Sequence, residues 1–123
     1  MPQSPPSRFP PHAWIKEFRG AIVICDPDGI ILEMNDAAIR SNAEDGGAKL
    51  IGTNLLDCHP EPSLTKLKAF MAQREPNIYT VENRGVKKLV YQTWWQVDGR
   101  DAGFMEVVLE IPFEMPHFVR QVT

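Results

Sequence analysis

The chain is poor in what several broad classes of protein require. Its 123 residues include only two cysteines, Cys25 and Cys58, too few for a disulfide scaffold; reduced thiols in the cytoplasm are the simpler reading. No apolar run approaches the roughly 18 residues of a membrane-spanning helix, and dense runs such as Ala21 to Cys25 are far shorter. The opening residues are Pro-rich with no apolar signal segment, which predicts a chain that is not exported. Basic charge is not in excess. At a net charge of -3, no global field draws the chain to nucleic acid or to an anionic membrane. The three histidines, His12, His59 and His117, are scattered. Without a Cys-x-x-Cys or His-Glu-x-x-His spacing, a Gly-x-Ser-x-Gly elbow or a Walker loop, the sequence points neither to a metal centre nor to an enzyme.

What is there suits one globular domain: hydrophobic residues make up 43% and charged residues 24%, enough for a single core. Charge is uneven along the chain. Residues 21–63 carry a net -6, whereas residues 64–92 carry +4 through Lys66, Lys68, Arg74, Arg84, Lys87 and Lys88. Solvated helix and strand faces account for that basic part better than a phosphate-tracking surface.

Five of the eleven prolines fall in the first eleven residues, so 1–11 reads as a flexible arm. Residues 12–20 follow as a cap helix that lays Trp14, Ile15 and Phe18 on the domain. Ala21 to Cys25 and Ile30 to Met34 are two strands of a hairpin around Asp26-Pro27-Asp28-Gly29, a type I turn sequence. Asn35 is placed to cap a helix opening at Asp36-Ala37-Ala38. Short helical turns are expected over Ala48 to Cys58. A longer helix, entered through Pro60 and Pro62, carries Leu64, Leu67, Phe70 and Met71 on one side and stops near Arg74. Asn77 to Glu82, Lys87 to Val97 and Gly103 to Ile111 alternate as strands, with Asp98-Gly99 turning the last pair. Residues 112–123 form a tail.

This order and these residues resemble a PAS domain over roughly Phe18 to Ile111, within a domain bounded at 21–111. The hairpin with its Asn35, the Leu50-Ile51-Gly52 segment and the three C-terminal strands carry the resemblance. It implies an α+β fold: a five-stranded antiparallel sheet in the order 2-1-5-4-3, with helices covering one face. It further implies a sensory module holding a small apolar ligand between sheet and helices, acting as a homodimer or in trans on a histidine kinase or transcription regulator. Pro112 and Pro116 stand where many family members begin a coiled coil, so output is expected in trans.

Alternation on the last two strands assigns Tyr91, Trp95, Met105 and Val107 to the helix-covered side. With Leu55, Leu67 and Met71 they form the expected pocket lining. The opposite stripe, Val90, Trp94, Phe104 and Val108, is then a dimer face or the seat of the cap helix bearing Trp14 and Phe18. The resemblance makes His59 a candidate haem ligand, since haem-binding members carry a histidine on the long helix, with Met71 or Met105 as a sixth ligand. It disfavours a covalent flavin adduct, because Gly52-Thr53-Asn54 is followed by Leu55 where light-sensing members have cysteine. A domain of the same fold with a filled core, serving only to bind other proteins, is the alternative.

Overall fold

We describe residues 8–73 and 75–121 of a computed structural model, taking Cys58 by its backbone alone. Most of the arm expected over 1–11 and the end of the tail lie outside the described residues. So does Arg74. The helices are α1 (Ala13–Lys16), α2 (Asp36–Ser41) and α3 (Ser63–Ala72), and the strands are β1 (Ala21–Cys25), β2 (Ile31–Met34), β3 (Asn77–Asn83), β4 (Val86–Val97) and β5 (Arg100–Ile111). Three 3-10 turns, Ala43–Asp45, Gly47–Leu50 and Leu55–Cys58, link α2 to α3.

The strands form one antiparallel sheet in the order β2-β1-β5-β4-β3. Local chemistry builds each reversal. Gly29 N–H donates to the Asp26 carbonyl, and Asp26 Oδ1 accepts from the amides of Asp28 and Ile30, closing the first turn. Asp98 and Gly99 both adopt positive φ, as a two-residue hairpin turn of this hand requires.

Asn35 ties the first hairpin to the helices. Its side chain is 6% exposed, and Oδ1 accepts from Ala38 N, capping α2, and from Ile22 N on β1. Its Nδ2 donates to the carbonyls of Gly20 (2.8 Å) and Ile15 (3.1 Å). One amide thus pairs with two backbone carbonyls and two backbone N–H groups, joining α1, β1 and α2. At Gly103 the sheet has no room for a side chain: a Cβ there would stand 1.9 Å from the Cys25 carbonyl oxygen.

The face that packs on the helices is the reverse of the one read from the sequence. Val90 pairs with Val108, Gln92 with Glu106 and Trp94 with Phe104, and this row faces α3. Phe104 is 3% exposed and packs on Phe70 of α3 and on Trp94. Tyr91, paired with Val107, and Trp95, paired with Gly103, point to the uncovered side, where Tyr91 is 39% exposed. The assignment failed because the uncovered row is the more apolar of the two, while the covered row contains Gln92 and Glu106. The cap helix differs as well. It is a single turn, Trp14 is 72% exposed, and α1 is held through the Ile15 carbonyl and a Lys16–Asp36 ion pair instead of an aromatic face. Phe18 lies at the edge of the uncovered face, where Gly20 leaves room for it beside Leu109.

Replacing Asn35 tests the tie. Asn35→Ala is expected to cost about 2–4 kcal/mol in urea unfolding, a lost cap plus orphaned backbone groups. Asn35→Asp keeps the cap but turns an acceptor toward the Gly20 and Ile15 carbonyls, and is expected to cost more than about 1 kcal/mol. An Asp variant as stable as the parent would show that Asn35 is a cap alone.

Candidate functional site

Between the sheet and the helix layer lies a chamber of about 130 Å3. Its walls come from every layer: Val23 and Cys25 from β1, Ile31 and Met34 from β2, Leu50 and Leu55 from the 3-10 turns, Leu67 and Phe70 from α3, and Phe104 from β5. These residues meet because α3 presents Leu67 and Phe70, three apart, to one side. Asn54 holds the turn opposite: its Oδ1 accepts from Leu56 N while Nδ2 donates to the Asp28 carbonyl. A wider groove of about 470 Å3 between α3 and β3 is lined by Ser63, Lys66, Asn77 and Tyr79. His59, Leu67, Gln92 and Glu106 border both spaces, so the apolar chamber and the polar groove adjoin.

Of the residues expected to line a pocket, Leu55, Leu67 and Met105 border the chamber, Met105 from the outer row of β5. Met71 packs on the adjoining core cluster. Tyr91, Trp95 and Val107 are on the other side of the sheet, where Trp95 Nε1 donates to the Cys25 carbonyl at 2.9 Å. Phe104, Trp94, Val90 and Val108, expected outside, are on the covered face. Gln92 and Glu106 were missed as site residues; their signal is a polar pair interrupting the apolar row of two adjacent strands.

The polar edge is a directed chain. Asn77 Nδ2 donates to Gln92 Oε1 at 2.8 Å, and Gln92 Nε2 donates to Glu106 Oε2 at 2.7 Å. His59 Nδ1 lies 2.7 Å from the Leu55 carbonyl. A carbonyl only accepts, so Nδ1 carries the proton and Nε2 of the neutral ring is an acceptor. Burial, then Asp26 and Glu106, push the Cys25 thiol up to about 12. Burial, then Glu106, raise the Tyr79 hydroxyl above its ordinary value. Cys25 is therefore protonated and inert near neutrality.

No family model matches the sequence, and no curated protein matches it either. Solved structures do match in shape. The PAS domain of BvgS from Bordetella pertussis superimposes with a TM-score of 0.60 at 17% identity, covering 82% of this chain and 83% of its own. The chain has the PAS fold. A C-terminal domain from Streptococcus mutans reaches a TM-score of 0.66 at 20% identity, with 78% of each chain covered. The Aer2 receptor of Vibrio cholerae, described as a dual PAS-haem oxygen sensor, gives 0.57 at 15%, covering 76% of this chain and 95% of its own. Sensor histidine kinases supply further PAS-fold neighbours. No helix among the described residues is long and apolar enough to cross a membrane.

A haem does not fit this PAS hollow as it is arranged. Sites for ligands of drug size or larger run to roughly 300–1,000 Å3 and are mostly apolar. The apolar chamber here is about 130 Å3, and the larger groove beside His59 is walled by Lys66, Asn77, Gln92 and Glu106. Leu55, standing where light-sensing members carry the flavin-reactive cysteine, offers the chamber only hydrocarbon.

The buried thiol gives a measurable pH signature. Its pKa is raised from an ordinary value near 9, so its full contribution to stability is present below that value and is lost as pH rises toward 12. Unfolding free energy is expected to fall by about 1.4 kcal/mol per pH unit within this window, relative to Cys25→Ala. Parallel pH profiles for the two proteins would contradict this placement of Cys25.

Proposed function

We propose that this protein is a sensory module in which a small molecule occupies the space between sheet and helices and changes what the outer sheet face binds. The observation that carries the reading is the composition of the chamber wall, which is drawn from β1, β2, the 3-10 turns, α3 and β5 together. A molecule held there touches both layers, so it favours one spacing of α3 over another by its difference in affinity for the two. Sensor neighbours of the same fold support the reading.

The output surface in this account is the uncovered sheet face. It carries Ile22, Ile24, Leu89, Tyr91, Trp95, Val107 and Leu109 on three adjacent strands. An apolar face of that extent needs a cover, and a second copy of the chain, meeting it about a two-fold axis, is the occupant proposed here. A histidine kinase or transcription regulator acting in trans would read the dimer. The cytoplasm, where such partners work, is the proposed location.

A second reading is favoured by the chamber's modest volume: a PAS-fold interaction domain with a filled core, using the same outer face without a ligand. Native mass spectrometry of the purified protein separates the two. The sensor reading expects a dimer carrying a small-molecule adduct, and Val107→Glu is expected to weaken the dimer at least about thirtyfold. A dimer of bare chains that gains no adduct from small-molecule mixtures decides for the filled-core reading. A Val107→Glu dimer as tight as the parent removes the outer face from both.

A further inference from the structure

Glu106 stands on the covered face of β5, at the border of the apolar chamber and the polar groove. Among the described residues its side-chain donor is Gln92 Nε2, and Gln92 is itself held by Asn77. Among the described residues, no Lys, Arg or His nitrogen is within ion-pairing distance of it; the ion pair present is Lys16–Asp36 on another part of the surface. A carboxylate offers about four lone-pair sites, and a single neutral donor leaves most of them open. His59 borders the same two spaces. The field of the carboxylate reaches into both spaces, since Glu106 contributes to the raised pKa values of Cys25 and Tyr79.

On the ligand-binding reading above, we propose that the chamber selects a compact organic cation, an ammonium group on an apolar body about the size of benzene. The body lies among Ile31, Leu67, Phe70 and Phe104, and the ammonium donates to Glu106. The volume suits this, because a dry apolar cavity of about 150 Å3 takes benzene and the chamber is about 130 Å3. A neutral hydrocarbon fills the same space but displaces water from Glu106 without replacing its hydrogen bonds. An organic anion fares worse. The one lysine of the groove, Lys66, is exposed, where an ion pair is worth at most about 1 kcal/mol, and the chamber beyond it presents Glu106.

Benzylammonium, benzyl alcohol and benzoate, titrated at pH 7 and constant ionic strength into the full chain and its Glu106→Gln variant, test the proposal by calorimetry and thermal shift. Benzylammonium is expected to bind about tenfold or more tightly than benzyl alcohol, with benzoate weakest. Glu106→Gln is expected to abolish that advantage, with an unchanged far-ultraviolet circular dichroism spectrum showing that the variant is folded. Equal affinity for benzylammonium and benzyl alcohol, unaffected by Glu106→Gln, overturns the cation preference and leaves the chamber standing. Failure of all three compounds to bind the parent protein overturns the chamber itself.

Discussion

Phe104 packs at a ring-centroid distance of 5.6 Å from Phe70 and 3.9 Å from Trp94, joining β5, α3 and β4 in one contact. Because side chains alternate along a strand, fixing the direction of Phe104 fixes those of the regular stretch of β5 that follows it. With Phe104 inward, Glu106 and Val108 are inward too, and the register carries Val90, Gln92 and Trp94 to the same side. A shift by one residue would bury Tyr91 and Val107 and expose the phenylalanine. The chamber, its polar edge and the apolar outer surface all follow from this contact.

The two faces of the sheet thus carry unequal chemistry in an unusual distribution. The covered side is not purely apolar: the Asn77–Gln92–Glu106 chain runs across it, beside His59. The uncovered side is mostly hydrocarbon and aromatic on its central strands, with Thr93 among them and Glu33, Thr80 and Lys87 toward its edges. A protein selected only for a stable monomer gains little from either feature, since neither a polar chain at the core's edge nor an apolar face left in water adds apolar burial. Both features suit a domain that receives a polar-headed small molecule on one side and a protein on the other.

The PAS fold was legible in the sequence because its signals are local. The Asp26-Pro27-Asp28-Gly29 and Asp98-Gly99 turns, Asn35 as a cap and the period-two runs each depend on residues close in the chain, and each appears in the structure. The side of the sheet facing the helices was not legible. Both rows of β4 contain tryptophan and aliphatic residues, and the row with glutamine read as the wet one. Only the packing of Phe70 against Phe104, more than thirty residues apart, decides the matter. Trp14 misled for a related reason: a short aromatic turn is apolar enough to bury, yet α1 is fastened through backbone carbonyls to Asn35, leaving the ring outside. Leu55 and Leu67 were placed at the chamber because the helix layer offers a single side to the sheet. The close approach of Gly103 to Cys25, between strands nearly eighty residues apart, has no local signature.

The central claim is the orientation of the sheet, and the unfolding free energies of Phe104→Ala and Tyr91→Ala, measured side by side in guanidinium at low micromolar concentration, test it most directly. Dilution keeps association through the outer face from adding to either value. The account predicts a loss of about 3–5 kcal/mol for Phe104→Ala and less than about 1 kcal/mol for Tyr91→Ala. The opposite ranking would mean that the helices roof the other face, and would contradict the site built on Glu106.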